Sequence, residues 1–415
     1  MESASILCHD SRSNPAKHPI ATTADRDQLK QLATDIQDAV ASYDPTELGT
    51  HDQIQQAMEK LRRAIQPPAP FTRHTQSKLV ENFSVHVAIK MGLLQALAKR
   101  PDKSMTSSDL SKSTGYDVSF TARIMRMVAA LGFVDETGYQ TYVANANTMY
   151  QSNELANRAL LFGGEAMYRI ANRLGEYIDK CKPCNLEEIP PLWDYALGET
   201  IWETMKTDTE LKTNFDCSMT MNNTAFGVPW HVKYGGISDQ LSRSSKPVIV
   251  DIGGNQGVDL QRFASDLPDL ECELILEDLP ETLAKFPATV DKRIRPLEYN
   301  FFTEQPVKGA NIYYLRRVLH DWPDKSARQI LSNTAVVMNA QSRLLIGEIV
   351  MRDTNESSDN IGLDLRMMFL LNGKQRTKTE WEELLATVTP PLEILKIWTA
   401  SGDRLSVIET GLRDG

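Results

Sequence analysis

The chain has 415 residues, 41% of them hydrophobic and 24% charged, with a formal net charge of −10. Such values describe a soluble globular protein of two or three domains, long enough to bury a sizeable core. They disfavour a nucleic-acid partner, whose phosphates most of an acidic surface would repel.

No run of about 18 apolar residues offers a membrane span. The first 30 residues carry Asp10, Arg12, Lys17, Asp25 and Arg26 and no apolar stretch. A secretory signal is therefore not expected, and the expected location is the cytoplasm. Residues 1–24 are polar and mixed and read as a disordered tail.

Residues 25–74 read as a helical arm that packs on a partner subunit. Leu29, Leu32, Ile36 and Val40, then Ile54, Met58, Leu61 and Ile65, recur at helical spacing. Asp44-Pro45 interrupts the pattern, and Pro67-Pro68-Ala69-Pro70 is expected to end it.

Residues 75–155 predict a winged-helix-like module. Val85, Ala88, Ile89 and Leu93 mark one helix, and Thr106-Ser107-Ser108-Asp109 caps a second. Phe120, Ile124, Met127, Val128 and Leu131 mark a third, before two short strands joined at Gly138-Tyr139. With only Arg123 and Arg126 on the third helix, packing between subunits is a better use for this module than DNA binding. A homodimer is expected.

Residues 156–240 read as a helical linker and pocket region, with loops at Gly163-Gly164 and Pro190-Pro191. Met167, Tyr168, Trp193, Trp202, Met205, Phe215, Met219, Met221, Phe226 and Trp230 could line an apolar pocket for a small molecule, or form core. Cys181 and Cys184 form a lone C-x-x-C with no second pair or suitable histidines, so no metal is expected.

Residues 241–415 alternate short β-branched runs with helical stretches, the pattern of an α/β domain with a mainly parallel sheet. Strands are expected at Pro247–Asp251, Cys272–Glu277, Ile294–Tyr299, Asn311–Leu315 and Arg343–Ile349. Leu392–Trp398 and Arg404–Glu409 then suit an antiparallel hairpin. The first strand runs into Gly253-Gly254-Asn255-Gln256-Gly257. Glycines there let backbone approach a ligand closely. Ile252 occupies the first glycine position of the dinucleotide fingerprint, so another ligand is favoured. Asp278, at the end of the next strand, can accept two ribose hydroxyls of an adenosyl group. Asn300 can hydrogen-bond adenine, and Phe301 can stack on it. Open α/β sheets place ligands at such strand ends.

The fourth strand leads into Arg316-Arg317-Val318-Leu319-His320-Asp321-Trp322-Pro323-Asp324. A histidine with a pKa near 6.5 is a competent base at neutral pH. A phenol or alcohol attacks a sulfonium methyl far better once deprotonated. Glu348, closing the next strand, can orient the imidazole and stabilise its cation. Asp321 is expected to point elsewhere. Thr377-Lys378-Thr379-Glu380 predicts a capping box, with Gln375 and Arg376 just before that helix.

These blocks, V-I-V-D-I-G-G-N-Q-G, E-D-L-P, Y-N-F-F, Y-Y-L-R-R-V-L-H-D-W-P-D, I-G-E-I-V and N-G-K-Q-R-T-K-T-E-W, resemble in order the signatures of plant and fungal small-molecule O-methyltransferases. The likeness is strongest to fungal members of secondary metabolism and runs from about residue 80 to the C-terminus. It implies a Rossmann-like class I methyltransferase domain behind a winged-helix-like dimerisation domain. It implies S-adenosylmethionine contacts at Gly253, Gly254, Gly257, Asp278, Asn300, Phe301 and Arg316. It also implies His320 as general base, with Glu348 and Gln375 beside it. The family usually has aspartate at Asn300, often lysine at Arg316, and commonly glutamate at Gln375. A glutamine cannot stabilise an imidazolium by charge. Some fungal relatives of this fold dehydrate or cyclise without methylating, which is the alternative expectation.

Overall fold

The computed structural model describes residues 24–44, 48–182, 188–224, 227–284, 286 and 291–413. The tail expected as disordered lies outside these residues up to position 23, as do Cys8, Cys184 and Phe226. The chain divides into two compact units, Met1–Asn157 and Arg158–Gly415. Among the described residues no helix is long and apolar enough to cross a membrane.

In the first unit, helices Arg26–Ala41 and Leu48–Ile65 pack on each other. The helical pattern ends at Ile65, as the proline cluster predicts. Pro67 caps a new helix, Pro68–Lys90, that runs through residue 74. Proline is tolerated at a first helical position because that N–H has no intrahelical partner. Gly92 then turns the chain in left-handed geometry, so Leu93 opens a separate short helix, Leu93–Ala98. The Thr106–Asp109 capping box starts helix Ser107–Thr114.

Helix Val118–Ala130 buries Thr121, Ala122, Met125 and Val128. Phe120 is exposed, so the buried stripe is rotated from the one marked in the sequence. Three short strands, β1 (Met105–Thr106), β2 (Val134–Gly138) and β3 (Thr141–Ala144), form one antiparallel sheet in the order β1-β3-β2. Helices followed by this hairpin give the winged-helix order.

The second unit opens with helices. Gly163-Gly164 is no loop: it lies inside helix Glu154–Ile170. Its sheet contains β4 (Val248–Ile252), β5 (Glu273–Asp278), β6 (Ile294–Glu298), β7 (Ile312–Arg316) and β8 (Arg343–Glu348), all parallel. β9 (Val350–Met351) and β10 (Arg376–Thr377) form a separate parallel pair. The hairpin β11 (Leu392–Trp398) and β12 (Ser406–Leu412) adds antiparallel to β8. The order is β11-β12-β8-β7-β4-β5-β6. β4, β5 and β7 end one residue later than the sequence predicts, and β6 and β8 end one residue earlier.

Alternation along the strands feeds two cores. Val250, Ile252, Tyr313 and Leu315 face Ile330, Leu331, Trp381 and Leu385. Ile249, Leu274, Ile312 and Tyr314 face Leu260, Phe263 and Trp230. Each fully buried aliphatic side chain contributes about 1.5–3 kcal/mol. The chain leaves β4 toward β5 on one side and β7 lies on the other, so the strand order reverses there. Ligands of open α/β sheets bind beyond the carboxyl ends of such strands.

Candidate active site

The end of β4 is built for close approach. Gly253 and Gly257 hold φ of +70° and +69°, in the left-handed region. A Cβ on Gly254 would collide with the Asp251 carboxylate and with Leu276. The Gly253 and Gly254 N–H groups both donate to the Glu277 carbonyl, at 2.8 and 3.2 Å, fastening the turn to β5. Asp278 accepts from the Asn255 N–H at 2.8 Å, so this acid sits directly on the glycine loop. Phe301 reaches the same turn, 3.9 Å from where a Gly253 Cβ would stand. Asn300 is exposed and accepts from the Phe302 N–H at 3.0 Å.

A cleft of about 950 Å³, counting the part open to solvent, starts at this turn. Asp251, Gly253, Gly254, Asn255, Asp259 and Arg316 line one end. Phe162, Ile201, Trp202, Phe215, Met219, Met367, Leu370 and Leu371 form an apolar wall, and Arg317, His320 and Asp321 complete the lining. Trp202 and Phe215 meet edge to face with centroids 5.7 Å apart. Of the aromatic and sulfur residues singled out in the sequence, Trp202, Phe215 and Met219 line the cleft, whereas Trp193, Met205 and Trp230 are buried core. Asp278, Asn300, Phe301 and Gly257 are not among its lining residues.

His320 stands in a short 3-10 turn, Leu319–Asp321, beyond β7. Its Nδ1 meets the Gln375 amide at 2.6 Å and lies 3.8 Å from Glu348 Oε2. The His320 N–H donates to Glu348 Oε1 at 3.3 Å. Gln375 and Glu348 are buried, so Nδ1 faces the interior. Nε2 is the nitrogen on the cleft side, 3.4 Å from Asp321 Oδ1. Asp321 thus corrects the expectation that it points elsewhere: the tight turn folds the adjacent carboxylate back beside the imidazole.

Burial, reinforced by Arg317 and Arg376, lowers the His320 pKa to about 3. The ordinary value near 6.5 assumed from sequence does not apply, and the imidazole is neutral at physiological pH. Burial raises Asp321 to about 7. It raises Glu348 to about 7 as well, with Asp321 adding to the effect.

The turn is clamped from below. Arg376 is fully buried. It donates to the carbonyls of Leu319 at 3.0 Å and Trp322 at 2.9 Å and pairs with Asp324 at 2.8 Å. The Lys374 N–H donates to the His320 carbonyl at 2.9 Å. A side chain on Gly373 would collide with that carbonyl. Arg376, Asp251, Asp259 and Arg317 were not singled out from sequence. An aspartate inside the apolar run of β4 was the signal for Asp251. Nothing local signalled the others, whose partners lie far away in the chain.

Residues 178–388 match the O-methyltransferase domain family, and residues 74–161 match the O-methyltransferase dimerisation domain. The chain belongs to the S-adenosylmethionine-dependent O-methyltransferase family. It is 31% identical to demethylsterigmatocystin 6-O-methyltransferase of Aspergillus parasiticus over 321 residues, 75% of this chain and 80% of that protein. The structure of LepI in complex with S-adenosylmethionine superposes with a TM-score of 0.77 at 23% identity, covering 93% of this chain and 99% of that one. OxaC in complex with S-adenosylhomocysteine and oxaline gives 0.77 at 23%, covering 94% and 100%. Both share the O-methyltransferase fold.

The strand-end residues suit the family's cofactor. The cradle at Gly254 leaves room that a Cβ would fill. Asp251 Oδ2 is a buried carboxylate oxygen without a hydrogen-bond partner, beside the cleft. A cationic group there would satisfy it. Arg316 is committed to Asp259 at 3.0 Å, so its carbons rather than its charge are offered to a ligand.

Proposed function

We propose that this O-methyltransferase methylates a hydroxyl of a small aromatic secondary metabolite, with His320 as general base. The observation that carries this reading is the placement of His320 in the cleft lining, with its Nδ1 held by Gln375 at 2.6 Å and its Nε2 left toward the cleft. When bound, S-adenosylmethionine supplies a methyl group made electrophilic by a cationic sulfur. The glycine turn, Asp278 and Phe301 would hold its adenosyl part, and Asp251 its cationic end.

The residues divide the remaining work. Trp202, Phe215 and Met219 exclude water and present an apolar wall to an aromatic acceptor. For Nε2 to take the hydroxyl proton, the imidazole's own hydrogen must sit on Nδ1. Gln375 accepts that hydrogen when its amide oxygen, without a partner of its own, is turned to Nδ1. Glu348 then stabilises the imidazolium as it forms.

A neutral glutamine beside the histidine also favours a second reading, in which the cofactor-bound protein steers a dehydration or cyclisation without methylating. One structural neighbour, similar with a TM-score of 0.76, is a pericyclic reaction enzyme. Incubation with methyl-labelled cofactor and an extract of the producing cells decides between them. Label in a new product is the expected result. Full turnover with S-adenosylhomocysteine replaces methyl transfer by the second reading.

Asp278→Ala removes the carboxylate that holds the glycine turn and would accept ribose hydroxyls. Two hydrogen bonds at about 0.5–1.5 kcal/mol each predict roughly 5- to 150-fold weaker binding of S-adenosylhomocysteine by calorimetry. Unchanged affinity rejects the assignment.

A homodimer is proposed for the assembly, in the cytoplasm. Leu79 and Val80 on helix Pro68–Lys90, and Val118 and Phe120 on the next long helix of the same unit, are exposed. Exposed apolar side chains of this kind suit a second copy of the chain. Light scattering is expected to give twice the chain mass; a monomer at micromolar concentration contradicts it.

A further inference from the structure

Arg317 is a cation that no ion pair holds among the described residues. It lines the cleft with His320 and Asp321. Among the described residues its guanidinium makes no ion pair, whereas the neighbouring Arg316 is paired with Asp259 at 3.0 Å. Its backbone is held at φ +52°, in the left-handed region that a long side chain rarely adopts. The Arg317 N–H donates to the Gly347 carbonyl at 3.0 Å, locking that conformation against the end of β8. Strain of this kind persists where the surrounding structure over-determines it, often at a binding site.

The electrostatics leave this charge under-compensated. Glu348 and Asp321 favour the charged guanidinium, while burial, Arg316 and Arg404 oppose it. Both carboxylates are themselves pushed up to about 7, so near neutrality neither is a full counter-charge. A partly buried unpaired cation is costly and is relieved by a ligand that brings the missing anion. A guanidinium matches a carboxylate in particular, through two parallel hydrogen bonds.

We propose that Arg317 is the acceptor-binding cation of this cleft and selects aromatic hydroxyl compounds that carry a carboxylate beside the reacting hydroxyl. The apolar wall at Trp202 and Phe215 takes the ring, His320 meets the hydroxyl, and Arg317 takes the adjacent carboxylate. This rests on the cleft being the methyl-acceptor site of the proposed function. It adds the acceptor's charge, which that function leaves open.

The test is calorimetry on the full chain saturated with S-adenosylhomocysteine, so that no turnover is needed. The probes are 1-hydroxy-2-naphthoate and its methyl ester, which share the ring and hydroxyl but differ in charge. The expected result is that the acid binds at least about tenfold more tightly than the ester. Arg317→Gln is expected to cost the acid about tenfold or more and the ester less than about twofold. Arg317→Lys, which keeps the charge, is expected to retain part of the preference.

Equal affinity of the two probes for the unaltered protein overturns the proposal, and that measurement needs no variant to fold. An equal loss of acid and ester in Arg317→Gln also overturns it, because a residue that only tunes His320 would affect both alike. Methyl transfer is read separately from the labelled product. Label transfer without an acid preference sinks the role of Arg317 alone. An acid preference without label transfer sinks methylation alone.

Discussion

His320→Ala is expected to lower turnover by about 10²–10⁴-fold, the range for losing a positioned base. Affinity for S-adenosylhomocysteine should barely change, because the imidazole lies between the glycine turn and the apolar wall. The pH dependence follows from the shifted groups. His320 is depressed to about 3, so its neutral form is present throughout the physiological range. Rate therefore does not follow imidazole deprotonation near 6.5. Glu348 and Asp321 are raised to about 7 and lose their protons as pH rises through that value. An ionised Glu348, 3.8 Å from Nδ1, stabilises the imidazolium that proton transfer creates. Rate is expected to rise through about pH 7, with an apparent midpoint belonging to the two carboxylates together. Glu348→Gln should flatten that rise. A midpoint near 6.5 that survives Glu348→Gln, or a His320→Ala enzyme keeping most of its rate, sinks this account.

Arg376→Ala is expected to be the most destabilising of the site substitutions. It strips hydrogen bonds from the carbonyls of Leu319 and Trp322 and leaves a void where a fully buried side chain stood. Orphaned buried acceptors cost about 1–3 kcal/mol each, so a loss of roughly 3 kcal/mol follows. That corresponds to a fall in melting temperature of roughly 6–12 °C. Turnover should fall with it, since the turn carrying His320 hangs on those carbonyls. Arg376→Lys keeps a charge near Asp324 but cannot bond both carbonyls, and should recover only part of the loss. A melting temperature within about 2 °C of the unaltered protein would show that the turn holds its shape without the guanidinium.

Much of this was legible in the sequence because it is local. The alternation of strands and helices after residue 246, the glycine turn, the Thr377–Glu380 capping box and the β11–β12 hairpin each depend on residues a few positions apart. Periodicity and turn chemistry determine such features wherever the chain is placed. The order of the motifs was enough to put Gly253, Asp278, Phe301 and His320 at carboxyl ends of strands.

Tertiary structure decided what depends on distant partners. The proline cluster ends one helix at Ile65 and also opens the next at Pro68, because the first helical N–H groups have no intrahelical partner to lose. Phe120 is exposed since the neighbouring helices, not its hydrophobicity, choose which stripe is buried. The basicity of His320 was misread from its residue type. A pKa is set by burial and by charges such as Arg317 and Arg376, which no spacing rule brings together. Asp321 lies beside the imidazole because the turn folds it there, and Arg376 bonds carbonyls more than 50 positions earlier in the chain. The sequence by itself determined the fold and the cofactor, and it put His320 just beyond the fourth strand of the sheet. Burial and long-range pairing, which exist only once the chain has folded, decided the ionisation of that histidine and the pairing of Arg316 and Arg376 around it.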